Sequence, residues 1–133
     1  MEKYYKISQH ITFEDILQIR SNNLRIELSP ESKDAIVKAK KFLDTKVAET
    51  GKIYYGINTG FGSFCNTVID TSQLEQLQEN LVKSHACGTG AEVPEEIVKL
   101  MLLFKVQSLS YGYSGVQLET VWRLVDMFNL NIL

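Results

Sequence analysis

Cysteine, net charge and long apolar runs are all scarce in this chain, and each scarcity closes off a class of protein. Two cysteines, Cys65 and Cys87, in 133 residues cannot build a disulfide framework, and no Cys/His set has zinc-ligand spacing. Both are expected to be free thiols in a reducing cytoplasm, and no metal is expected. The longest apolar run, Leu100-Met101-Leu102-Leu103-Phe104, stops at Lys105, far short of the roughly 18 apolar residues that a membrane helix requires. The opening Met1-Glu2-Lys3-Tyr4-Tyr5-Lys6 is polar and aromatic with no apolar stretch behind it, which speaks against a secretory signal. Fourteen Lys and Arg against sixteen Asp and Glu leave a net charge of −2, so neither a nucleic-acid footprint nor a polybasic membrane patch is expected. What is present, 44% hydrophobic and 23% charged residues, suits a single domain with a real core.

Pattern then predicts a mainly α chain with two small β pieces. Thr12 caps a helix beginning Phe13-Glu14-Asp15, with an acid where the helix N-terminus favours one. Residues 24–28 alternate apolar and polar and read as a strand. Ser29-Pro30-Glu31 starts a second helix, with Ile36, Ala39, Leu43 and Val47 on one face and Gly51 as its stop. The β-branched and aromatic Ile53-Tyr54-Tyr55 reads as a second strand over 53–55. Ser72 and Glu75 have capping-box spacing for a third helix, with Leu74, Leu77 and Leu81 as its buried row and Gly88 as its terminator. Pro94-Glu95-Glu96 opens a fourth helix that ends near Gly112. A fifth, capped by Ser114 with Gln117 three residues on, would bury Leu118, Val121, Trp122, Val125 and Phe128. The apolar end, Met127 to Leu133, has no polar fringe and reads as continuing into more protein.

Three segments could carry chemistry. Tyr55-Gly56-Ile57-Asn58-Thr59-Gly60-Phe61-Gly62 lets backbone come close to a ligand. Its tyrosine is either an aromatic anchor or a proton-transfer group. The glycine order is not G-x-G-x-x-G, and no helix follows at once, so a dinucleotide fingerprint does not fit. Ser84-His85-Ala86-Cys87-Gly88-Thr89-Gly90 puts a histidine at a helix end, to cap carbonyls or to contact a ligand. Gly112-Tyr113-Ser114-Gly115 lacks the second glycine spacing of a nucleophile elbow, because Val116 stands there.

In order and distance these three segments, with Leu77 to Ser84 leading into the second and Ser108 to Tyr111 into the third, resemble the N-terminal region of the aromatic amino acid ammonia-lyase family. The Tyr-Gly-x-Asn-Thr-Gly-Phe-Gly string is the most specific part, and the resemblance runs from about Ile7 to the end. Lys105 and Gln107 stand where many relatives have Arg and Asn.

The resemblance implies the N-terminal part of the helical ammonia-lyase/fumarase-like fold, with residues 1–133 a single domain piece of a longer chain. It implies a cytoplasmic homotetramer that eliminates ammonia from an aromatic amino acid. Its electrophile is a methylidene-imidazolone formed from an internal Ala-Ser-Gly. That tripeptide is absent here, so the piece alone is expected to be inactive. By residue, Tyr55 matches the base that takes the β-proton, His85 the selector of the substrate side chain, and Gly60 and Gly62 the pocket lining. Ser84-His85 is the pattern of histidine-specific members, which implies L-histidine as substrate and urocanate as product. A tyrosine or phenylalanine lyase, or an aminomutase, is the alternative within the family. A non-catalytic helical interaction module is the alternative outside it.

Overall fold

The computed structural model describes residues 3–50, 54–62, 69 and 71–133. These fall into two compact units, one made of residues 1–45 and 93–133, the other of residues 46–92. The described elements are β1 (Tyr4–Ile7), α1 (Phe13–Ser21), β2 (Arg25–Leu28), α2 (Pro30–Thr50), a short 3-10 turn (Thr71–Gln73), α3 (Leu74–His85), α4 (Glu95–Ser110) and α5 (Leu118–Leu130). The expected mainly helical character is what the structure shows.

In the first unit β1 and β2 pair in parallel, Tyr4 opposite Arg25 and Ile7 opposite Leu28. Parallel strands need a crossover between them, and α1 provides it. The helix starts at a complete capping box. The Thr12 hydroxyl oxygen accepts the Asp15 N–H at 3.1 Å, and the Asp15 carboxylate accepts the Thr12 N–H at 2.9 Å. A hydrogen bond from the Tyr5 hydroxyl reaches the same carboxylate.

The strand expected at 24–28 is β2. Sequence reading misses β1, because Tyr-Tyr-Lys-Ile has one strongly apolar residue and becomes a strand only when its partner is present. The other expected strand, over 53–55, is not formed where it can be described. Tyr54 is irregular and Tyr55 enters a turn, while Ile53 lies outside the described residues. Local hydrogen bonds to Asn58 take up the Tyr54 backbone groups that a strand would have used.

β2 presents alternate backbone groups to its two sides. The Arg25 and Ser29 amides donate to the carbonyls of Lys3, the residue before β1, and of Ile7, its last residue. Ile26 faces the other way, and there the Asn129 side chain meets it twice. Its Oδ1 accepts the Ile26 N–H at 2.8 Å and its Nδ2 donates to the Ile26 carbonyl at 2.9 Å. One amide side chain on α5 thus does the work of a third strand. The junction into α2 is held likewise: Ser29 Oγ accepts the Ser32 N–H, and the Ser32 hydroxyl donates to the Ile7 carbonyl.

Ile7, Ile26, Leu28 and Ile36 form the core with Ile19, Leu103, Val106, Leu109, Val121, Val125 and Phe128. One expectation for the last helix is corrected: Trp122 is not core but 44% exposed. Of the Leu100–Phe104 run, only Leu103 is buried. The core needs one stripe from each helix, and the neighbouring apolar residues lie off it. Gln107 is buried, and its Nε2 reaches the Ser8 carbonyl at 2.7 Å.

Another correction concerns Ser114. The N-cap of α5 is Gln117, which makes no side-chain capping bond. Glycine geometry decides this turn instead. Gly112 and Gly115 have φ of +73° and +67°, and a Cβ on Gly112 would lie 2.6 Å from the Ala35 carbonyl oxygen of α2. A Cβ on Gly115 would come equally close to a methyl of Leu43. The Gly-Tyr-Ser-Gly segment is therefore a turn pressed onto α2, and chain reversal is complete only three residues after Ser114.

α1 and α5 end alike. Asn23 and Asn131 adopt left-handed φ of 46° and 55°, and the following amides, of Leu24 and Ile132, return to Ile19 and Met127 carbonyls. This is the Schellman arrangement, with asparagine in the glycine position. Lys99 of α4 donates to both asparagine side chains and sits 5.1 Å from the Phe128 ring centre.

Two predictions follow from these contacts. Gly112→Ala destabilises the chain by more than the roughly 1–2 kcal/mol that a left-handed non-glycine residue costs, because the obstructing atom is backbone. Gly115→Ala costs less, since the Leu43 side chain can turn away; urea titration of both variants gives the order. The second concerns pH. The Asp15 carboxyl is held below its usual range by the Thr12 N–H, then the Thr12 hydroxyl, and to a lesser degree by Tyr5, against an opposing effect of burial. A carboxylate with a lowered folded value adds stability above about pH 4, and that contribution fades as pH falls through the lowered value. Thermal midpoints of wild type and Asp15→Asn should therefore differ at pH 7 and converge toward pH 2. The Tyr5 phenol is pushed up to about 12 by burial and then by Asp15, so its part is lost only in strong alkali.

Candidate active site

In the second unit the loop after Tyr54 is tied by its own side chains. Asn58 Oδ1 accepts the Tyr54 N–H at 2.7 Å, while the Asn58 and Ile57 amides return to the Tyr54 carbonyl. The Thr59 hydroxyl, fully buried, accepts the Gly56 N–H at 3.3 Å and donates to the Gly60 carbonyl at 3.0 Å. Such Asx-type and threonine bonds define a turn that a free glycine loop would not hold. Gly56 takes a φ of +72°, with the Phe61 ring against its α-carbon side.

Tyr55 rides on this turn. Its ring meets Phe61 edge to face, with centroids 6.2 Å apart and planes at 73°. Its hydroxyl oxygen accepts the Gly62 N–H at a long 3.5 Å. At 64% exposure the phenol is open to a ligand. Tyr55 and Gly62, both expected at the site, are thus in contact with each other.

α3 brings the histidine. The 3-10 turn leads into it, and its N-cap is Gln73 without a side-chain capping bond, so the Ser72–Glu75 capping box is not how it begins. Its other end comes earlier than Gly88: Ala86 is the C-cap, with its N–H on the Val82 carbonyl, and Gly88 does not take a left-handed φ. At this end Ser84 and His85 both bring side chains to the Leu81 carbonyl. Ser84 Oγ donates to it at 2.9 Å, His85 Nδ1 lies 2.9 Å from it, and the two side chains are 3.0 Å apart. Cys87 is free and exposed, and Cys65 lies outside the described residues.

One groove joins the two segments. Gly60 and Phe61 of the loop, with Ile69, face Leu77, Asn80, Leu81 and Ser84 of α3 across an open volume of about 410 Å³. Of the expected buried row, Leu77 and Leu81 are half-buried rather than buried, and the Leu74 side chain lies outside the described residues. Asn80 is a groove residue that sequence reading passed over. Its spacing from Leu77 and Ser84 put it on their face of the helix, and that was the available signal. Asn80 Oδ1 accepts from Gln76, so its amide orientation is set from its own helix. The Gly-Tyr-Ser-Gly turn belongs to the other compact unit.

The model of the aromatic amino acid lyase family matches residues 11–133, and the chain belongs to that family. Among its relatives, a histidine ammonia-lyase of Caldanaerobacter subterraneus subsp. tengcongensis is 39% identical over 132 residues, which are 99% of this chain and 26% of that one. Among solved structures, histidine ammonia-lyase from Trypanosoma cruzi has a TM-score of 0.78 at 34% identity, covering 95% of this chain and 24% of that one. The ergothioneine-degrading enzyme ergothionase from Treponema denticola reaches a TM-score of 0.89 at 25% identity, covering 97% of this chain and 26% of that one. The chain thus spans about a quarter of the length of the relatives it matches. No helix among the described residues is long and apolar enough to cross a membrane.

The loop geometry makes its own prediction. Asn58→Ala removes the acceptor of the Tyr54 N–H, a loss of about 1–3 kcal/mol for a donor left unpaired away from water. Hydrogen exchange at Tyr54, Gly56 and Ile69 should quicken, while the amides of α4 and α5 keep their protection.

Proposed function

We propose that this chain forms one wall of an ammonia-lyase active site whose substrate is L-histidine and whose product is urocanate. The observation that carries the reading is the groove between Gly60 and Phe61, in the loop that bears Tyr55, and the face of α3 that ends at Ser84, the neighbour of His85. The histidine ammonia-lyase relatives support the choice of substrate. In this reading Tyr55 removes the β-proton, the electron pair becomes the new C=C bond, and the α-amino group leaves as ammonia. Exposure of the phenol and its position over the glycine backbone suit a base that must reach a C–H. His85 contacts the substrate side chain, and Gly60 and Gly62 line the site with backbone.

The methylidene-imidazolone that goes with the family is made from an internal Ala-Ser-Gly, and these 133 residues contain none. The residues present do not form that group, and no step is assigned to it. The activity is accordingly that of a longer, homotetrameric, cytoplasmic subunit that carries this segment as its N-terminal part.

In that longer enzyme, Tyr55→Phe should lower turnover by about 10²- to 10⁴-fold, the usual contribution of a general base, with little change in substrate binding. A tyrosine that only anchors the loop would leave the rate within a few-fold. His85→Leu should act on selection: the ratio of kcat/KM for histidine to that for phenylalanine falls, because a hydrogen-bonding wall becomes apolar. An unchanged ratio would remove His85 from the substrate side chain.

A further inference from the structure

The end of α3 fixes more than the place of His85. A carbonyl oxygen can only accept, so the 2.9 Å contact between Nδ1 and the Leu81 carbonyl requires a proton on Nδ1. Ser84 adds to it. Its hydroxyl hydrogen is committed to the same carbonyl at 2.9 Å, which leaves an Oγ lone pair facing Nδ1 at 3.0 Å. A proton on Nε2 alone would set the Nδ1 lone pair against the Leu81 carbonyl and lose that contact, and Ser84 could keep its own only by turning its hydroxyl hydrogen from the carbonyl to the ring. Which nitrogen of an imidazole carries the proton is decided by the hydrogen bond the other makes. Here that bond lies within the helix end.

We propose that Ser84 is a positioning residue that, with the Leu81 carbonyl, holds neutral His85 as the Nδ1–H tautomer and turns Nε2 outward as a hydrogen-bond acceptor. The ligand class follows: an amino acid whose side chain offers an N–H or O–H, such as an imidazole or a phenol, in preference to an unsubstituted phenyl ring. This rests on the assignment of His85 to the substrate side chain.

The chain has two histidines, His10 and His85, so ring nitrogens can be assigned with a His10→Gln variant. Long-range ¹H–¹⁵N correlation in alkaline buffer, where the rings are neutral, should show His85 protonated at Nδ1 and bare at Nε2. Ser84→Ala should move the ring toward the Nε2–H form that predominates in free imidazole side chains, and Ser84→Thr should restore it. In the longer enzyme, Ser84→Ala should raise KM for histidine about three- to tenfold, as for the loss of one hydrogen bond, and leave kcat within about twofold, with rescue by Ser84→Thr. A wild-type ring protonated at Nε2, or a tautomer indifferent to Ser84→Ala, overturns the positioning role whatever the activity shows. A tautomer that shifts while KM for histidine stays fixed overturns the substrate contact instead, and with it the assignment on which the proposal rests.

Discussion

The pair of hydrogen bonds between Asn129 and Ile26 is the contact on which the first compact unit depends. A two-stranded parallel pair leaves an open row of backbone groups on each side. Here the row on the β2 side is met by a side chain 103 positions away. That distance lets the chain leave after α2, form the second unit, and return as α4 and α5. The returning helices must arrive in one register, because an amide that misses Ile26 leaves a donor and an acceptor unpaired beside the core. Val121, Val125 and Phe128 are buried on the same helix, so polar pairing and apolar packing select the same seating.

Side chains that stand in for backbone recur wherever the chain changes direction. Asp15 and Thr12 close the start of α1, Ser29 and Ser32 the start of α2, and Asn58 and Thr59 the glycine loop. Asn23 and Asn131 end helices in a conformation more often given to glycine. Glycine itself is kept for places where a Cβ has no room or the loop must turn tightly. At Gly112 and Gly115 the reason is contact with α2, and this gives the Gly-Tyr-Ser-Gly segment a structural role. A family motif therefore need not touch the chemistry to be fixed in form.

At the groove, flexibility and definition are divided between the two walls. The loop wall is backbone and aromatic edge, held by Asn58 and Thr59. The helical wall is Leu77, Asn80 and Leu81, and it ends in a histidine whose ring is tied to its own helix.

Helix starts at Phe13, Pro30 and Glu95 were legible because caps, prolines and first-turn acids act within four residues. The strand at 25–28 was legible from alternation, and the loop and Ser84-His85 from a string too particular to be a generic turn. The β1 strand, the exposure of Trp122, the late start of α5 and the early end of α3 were not. The first three depend on a partner distant in sequence or on a competition that spacing does not record: the pairing of Tyr4–Ile7 with β2, the choice of one stripe from a helix with several apolar residues, the press of Gly112 on Ala35. The sequence by itself determined which residues could carry chemistry, since reactivity belongs to the side chain. Only the tertiary structure decided that the His85 ring folds back onto the Leu81 carbonyl and that Gly60 and Phe61 share a groove with Asn80 and Ser84, because those follow from hydrogen bonds and packing that exist only once the chain has folded.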